Sequence, residues 1–272
     1  MAVDVTLLLH RLMHANPEGD VVQGVMNYLQ PLADHAPSSV FVFDGPSRPE
    51  KCAAHERRKR AKTSQEALYA AACDDLATMI DCCAEEATLN DQEKYVENVS
   101  KRCIAPTADH VQELKDKMVA SNWNVVIAPH DAEEEATRLV CNGTCSAVYS
   151  DDTDIFAWGC PKAYIHVGKN RVLHVLDLDS ALSQLELTRP QFVDLGIMLG
   201  TDFTKSTIEG VGPERGYKLI KKYKTIDKII ESLNGSKKTT VESDVTSGSF
   251  DYGAVRRIFG MQIEEGDVEE DV

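Results

Sequence analysis

Four short apolar runs, each leading into acid, constrain this chain more than any other feature. "MAVDV", "SSVFVFDG", "NVVIAP" and "CSAVYS" are rich in β-branched residues and read as strands, as does "AYIHV" further on. Helical stretches fall between them, at about 20–33, 52–83, 107–121 and 130–142. Strand and helix in alternation predict an α/β fold: a mostly parallel, twisted sheet flanked by helices. The polar stretch 52–100 is too long for an ordinary crossover and is expected to project from the sheet. After residue 178 the chain reads as helical, with a flexible Ser/Thr/Gly-rich connection at 235–249.

The acids fall at the strand ends. Asp4 ends the first run and Asp44 the second; Asp131 and Glu133 open the helix after the third, and Asp152 and Asp154 follow the fourth. In a parallel sheet those positions meet at the carboxyl edge, where ligands bind. Asp202, in "LGTDF" after the helix "RPQFVDLGIML", closes the ring. Any one of these acids reads equally well as a helix cap or turn former, and Asp131 is well placed as a cap. Four successive strand ends are harder to assign to coincidence. Convergent carboxylates raise each other's pKa unless cations offset them, and hard oxygen ligands favour Mg²⁺ or Mn²⁺ over zinc or copper. A pair of such ions suits phosphodiester hydrolysis.

Bulk properties bound the alternatives. The 272 residues, 43% hydrophobic, suffice for a full core. No apolar run is long enough to span a membrane, and "MAVDVTLLLHRLM" is too broken for a signal peptide. Eight cysteines without CxxC spacing read as reduced thiols of an intracellular protein, nuclear or cytoplasmic. The net charge of −15 weighs against a nucleic-acid partner until its distribution is considered. Six acids sit in the tail "IEEGDVEEDV", read as disordered, while basic residues concentrate at 51–62 and 215–224.

The segments "FVFDGPSRPEK", "VIAPHDAEEEA", "VYSDDTDIFAWG" and "QFVDLGIMLGTDFTKSTIEGVGPERGYKLIKKY" resemble, in order, the motifs of the flap endonuclease/XPG family of structure-specific 5′ nucleases. The resemblance runs from Asp4 to about residue 230. It implies a PIN-like nuclease core over 1–200 with a helical arch at about 47–106, and a helix-hairpin-helix over 201–234. A connection and C-terminal segment would follow to 260, then the acidic tail 261–272. It makes Asp4, Asp44, Asp131 and Glu133 ligands of one Mg²⁺ or Mn²⁺, and Asp152, Asp154 and Asp202 of a second, with Glu133 shared. Lys51 and Arg58 would contact the scissile phosphate, and Arg57 and Lys62 the strand beside it. Lys51, Arg58 and Lys62 share one helix face.

Gly210 and Gly212 would form the hairpin that grips duplex phosphates and binds K⁺ in the family, with Lys218, Lys221 and Lys222 reaching along the backbone. Asp131 stands where the family generally has Glu, and the family's Met-Gly segment before its first aspartate is missing here. No sliding-clamp box of the form QxxLxxFF is present near the C-terminus. His10 occupies a position where flap endonucleases tend to carry tyrosine and the exonuclease branch histidine. The resemblance implies a 5′-flap endonuclease acting on flaps, nicks, gaps or ends in replication, repair or recombination. The competing readings are a 5′→3′ exonuclease, a non-catalytic DNA-binding replication factor, and a PIN-type ribonuclease, which the hairpin disfavours.

Overall fold

Every residue of "VFVF" at 40–43 is buried, which requires a strand covered on both faces. A computed structural model, describing residues 1–82, 85–166, 173–204, 207–208, 210–234 and 251–261, shows how that is met. In chain order the elements are β1 (Ala2–Asp4), α1 (Val5–Ala15), α2 (Val21–His35), β2 (Val40–Phe43), α3 (Cys52–Asp81), α4 (Glu86–Cys103), α5 (Ala108–Ala120), β3 (Asn124–Ile127) and α6 (Ala132–Cys141). There follow β4 (Val148–Tyr149), α7 (Asp154–Ala157), β5 (Lys162–His166), β6 (Leu173–Asp177), α8 (Leu178–Leu185), α9 (Arg189–Leu199), α10 (Pro213–Tyr223), α11 (Ile226–Asn234) and α12 (Tyr252–Ile258). The connection at 235–249, nearly all of the acidic tail, and Cys83 lie outside the described residues.

The strands form one sheet in the order β3-β2-β1-β4-β5-β6. All pairings are parallel except the last, where β6 runs antiparallel to β5. Alternation along the strands divides the core. Val3, Phe41 and Phe43 meet α1, α2 and α5 through residues such as Leu9, Leu29 and Met118. Ala2, Val40, Val42 and Val148 meet α6, α7 and α8 through Ala136, Ile155 and Leu178. The last helices, α9 to α12, build their own core around Ile197, Ile220, Ile226 and Phe259. Trp158 and Phe203 pack edge-on against Phe259, with ring centroids 5.0 and 5.5 Å away, which ties the loop carrying Asp202 to α7 and α12.

The long polar stretch forms two antiparallel helices. Only Ala54 and Ala72 of α3 are buried, as expected of a helix pair standing clear of the core. The first strand is where the sequence places it, but α1 and β6 escape the sequence reading. β1 is only three residues long because Asp4 caps α1 at once, its Oδ1 accepting from Leu7 N at 3.2 Å. β6 is exposed along its whole length, so it carries no alternating pattern to read.

Candidate active site

The sheet order reverses between β1 and β4, and at such a switch point loops diverge from the carboxyl ends and leave a crevice. Asp4 closes β1 on that edge, and its Oδ2 accepts from Ser150 Oγ, at the end of β4, at 3.1 Å. Ser150 Oγ also accepts from Asp152 N at 3.1 Å, and Asp152 Oδ1 accepts from Asp154 N at 2.8 Å. The acidic turn is thus built by its own side chains. Asp44, after β2, accepts from Ala132 N at 2.8 Å and so caps α6 across the crevice.

That last bond corrects one expectation. Asp131 holds the N-cap position of α6 but makes no capping hydrogen bond; its carboxylate is turned away from the helix start, and Asp44 takes the first amide of the helix instead. Asp131 is thereby released toward cations: its Oδ1 lies 2.7 Å from Lys51 Nζ and its Oδ2 3.2 Å from Arg48 Nε. The Oδ2 atom is buried and has no aligned hydrogen-bond donor.

Asp4, Asp44, Asp131, Glu133, Asp152 and Asp202 line one cleft of about 600 Å³, together with Lys51, Arg58 and His10. Asp154 lines the adjoining hollow with Asp152, Asp202, Arg57 and Arg58. All seven carboxylates singled out in the sequence therefore meet in one region, beneath the start of α3. Arg58 Nη2 reaches Asp202 Oδ2 at 2.6 Å, and Arg57 Nη1 donates to Thr204 O at 3.1 Å.

The electrostatics follow from burial. Asp4 is pushed up to about 7 by burial and the Asp44 charge, against hydrogen bonds from Leu7 and Ser150 that pull the other way. Burial and the neighbouring Asp152 and Asp4 hold Glu133 well above the usual carboxylate range. Asp154 rises to about 6 through burial, Asp152 and Asp202. Burial disfavours the Lys51 ammonium, but its bond to Asp131 and the charges of Glu133, Asp131 and Asp202 outweigh that and leave it above its ordinary value. Burial, then His14 and Arg58, lower His10.

Negative charge is in excess here, the donors are all oxygen, and one buried acceptor lacks an aligned donor. That chemistry fits hard divalent cations. As placed, with Asp131 and Asp202 turned to Lys51 and Arg58, no three His, Cys, Asp or Glu side chains among the described residues stand close enough together to hold an ion.

The remaining residues singled out in the sequence lie away from the cleft. Lys62 is exposed farther along α3, near Glu66. Gly210 has φ of +71°, a left-handed turn that glycine accommodates without strain, and Gly212 caps α10. Lys218 is exposed on α10, and Lys222 lies 4.8 Å over the Tyr223 ring. Lys221 is paired with Glu186. The sequence reading missed Arg48, which also pairs with Glu134, and Ser150, which joins β1 to β4. It also missed His55 and His130 in the cleft wall. His55 was open to detection: it stands in the first turn of α3, four residues after Lys51, which caps that helix.

Comparison with known proteins bears on the family. Residues 122–202 match the XPG I-region family. Flap endonuclease 1-A of Sorghum bicolor is 31% identical over 251 residues, which are 90% of this chain and 60% of that protein. Flap endonuclease 1-A of Xenopus laevis is 28% identical over 250 residues, 86% of this chain and 61% of that protein. The chain thus spans about 60% of the length of these relatives.

Among solved structures, the catalytic core of Rad2 in complex with a DNA substrate superposes with a TM-score of 0.62 at 18% identity, covering 93% of this chain and 73% of that one. Flap endonuclease-1 from Methanococcus jannaschii gives 0.61 at 20% identity, covering 95% and 77%. T5 5′-exonuclease with bound zinc gives 0.58 at 18% identity, covering 96% and 89%. In sequence and fold, the chain belongs to the flap endonuclease/XPG family.

Proposed function

We propose that this chain is a divalent-cation-dependent 5′ nuclease that recognises branched, nicked or gapped DNA by shape and cuts phosphodiester bonds near the single-strand/duplex junction. The observation that carries the reading is the convergence of seven carboxylates, from four strand ends and one helix end, beneath a cationic stripe of α3.

Asp4, Asp44, Asp131 and Glu133 are assigned to one Mg²⁺ or Mn²⁺, and Asp152, Asp154 and Asp202 to a second, with Glu133 between them. Such a pair supplies Lewis acidity to the attacking water and to the leaving oxygen. The chain's own residues do the rest. Lys51, fixed by Asp131, and Arg58, fixed by Asp202, are positioned to offset charge that develops on the scissile phosphate. Arg57 ties the base of α3 to the loop carrying Asp202. Gly212 caps α10 without a side-chain hydrogen bond, which leaves the amides after Pro213 for duplex phosphates, and Lys218 and Lys222 extend that contact. The hairpin is the proposed K⁺ site.

The test is cleavage of end-labelled 5′-flap, nicked and linear duplexes by purified protein, with Mg²⁺ and with EDTA. Flap-length oligonucleotides made only with Mg²⁺ support the reading. Mononucleotides from every substrate reassign the chain to the exonuclease branch. Tight flap binding without product, in Mg²⁺ or Mn²⁺, would overturn catalysis in favour of a DNA-holding role.

A further inference from the structure

His55 lines the cleft and takes no part in the account above. It stands on α3 four residues after Lys51 and three before Arg58, so all three share one stripe of the helix. The two flanking cations are engaged with carboxylates, at 2.7 Å to Asp131 and 2.6 Å to Asp202. His55 is not: its partner is a neutral hydroxyl, Ser47 Oγ, 3.2 Å from Nε2. The same hydroxyl also reaches Arg48 O, at the longer distance of 3.4 Å, and its single proton goes to the nearer acceptor.

With Ser47 donating, Nε2 accepts and the ring proton resides on Nδ1. Nδ1 makes no hydrogen bond among the described residues. His55 therefore offers a ring N–H without a protein acceptor among those residues, on a cleft wall where both neighbouring donors are occupied, about 6 Å along the helix from Lys51.

Resting on the nuclease reading, we propose that His55 is a further substrate contact: its Nδ1–H donates to a non-bridging oxygen of the phosphate next to the scissile one, and Ser47 fixes the tautomer that makes this possible. Donation from the ring tracks the strand without drawing on the carboxylates that hold Lys51 and Arg58.

A chemical double-mutant cycle tests this. Equilibrium binding of labelled 5′-flap DNA is measured in EDTA, and single-turnover cleavage in Mg²⁺, for the parent, His55→Ala, His55→Asn and Ser47→Ala. Each protein is assayed on all-phosphate DNA and on a series carrying one uncharged methylphosphonate at successive linkages around the junction. His55→Ala is expected to weaken binding roughly five- to tenfold, with the cleavage rate at saturation within about twofold of the parent. At one linkage next to the cut site the methylphosphonate weakens the parent but has no further effect on His55→Ala. His55→Asn, whose amide nitrogen overlays Nδ1, retains most of the affinity, and Ser47→Ala loses part of it.

A uniform loss at every linkage, or no loss, overturns the proposal and leaves the Ser47–His55 bond a brace for the loop. Thermal midpoints within a few degrees of the parent establish that the variants are folded, and His55→Asn keeps the test open if His55→Ala is not. If the parent neither binds nor cuts flap DNA, the nuclease reading itself has failed. If the parent cuts and only the His55 variants are indifferent, this inference alone has failed.

Discussion

Asp151 precedes Asp152 in the chain, yet its carboxylate is turned away from the cleft to Arg11. The same guanidinium donates to Tyr149 Oη at 3.0 Å and lies 5.3 Å over the Tyr28 ring. One cation thus neutralises the extra acid of the turn and ties α1 to the end of β4. Arg11→Met removes one donor from each of two partly buried groups, Asp151 and Tyr149. It is expected to cost about 1–3 kcal/mol of stability, read from the urea midpoint.

Asp4 and Asp154 titrate far above an ordinary carboxylate, at about 7 and about 6. A folded-state pKa raised above the unfolded value favours folding below the unfolded pKa, and that contribution is lost as pH rises through the folded one. In EDTA the protein should therefore lose stability between about pH 4 and pH 7 to 8. Asp4→Asn, which mimics the protonated acid, should be more stable than the parent at pH 8 in EDTA, by on the order of 2 kcal/mol. A thermal midpoint for Asp4→Asn below the parent's under those conditions contradicts the electrostatic account of the cleft.

At the scale of elements, α12 is held by charge as well as by apolar contact. Arg256 makes two 2.6 Å bonds to Asp194 of α9, whose side chain is only 4% exposed, and a third contact of 2.9 Å to Asp227 of α11. Asp194 also accepts from Ile226 N at 2.9 Å, capping α11. Removing one member of a buried pair strands the other, at a cost of about 3–5 kcal/mol. Arg256→Met should lose that much in urea unfolding. Arg256→Met with Asp194→Leu should recover part of it, since no charge is then buried alone.

Strands buried on both faces were readable because β2 must be apolar at every position, and the strand ends could be read from their acids. β6 was not readable: its residues face solvent and its place is set by pairing with β5, a tertiary fact. The seven acids could be found from order alone. Their partners Arg48 and Ser150 could not, because each acts across the sheet on a residue more than eighty positions away.

For the whole molecule, the net charge of −15 is misleading by sign. Cations are gathered at the base of α3 and along α10, and DNA meets only those surfaces under the proposed function. Lys218→Glu with Lys222→Glu should weaken flap binding for all sequences alike and flatten the log–log salt dependence by about 2. The cleavage rate at saturating protein should not change, because neither residue lines the cleft.

The central claim is that the acids at the switch point do chemistry on DNA. The direct measurement is single-turnover cleavage of a 5′-flap duplex in Mg²⁺ by the parent and by Asp152→Ala, with flap binding measured in parallel. The account predicts discrete products from the parent, a loss of at least about a hundredfold in rate for Asp152→Ala, and flap affinity within a few-fold of the parent. Equal cleavage by both proteins would contradict it.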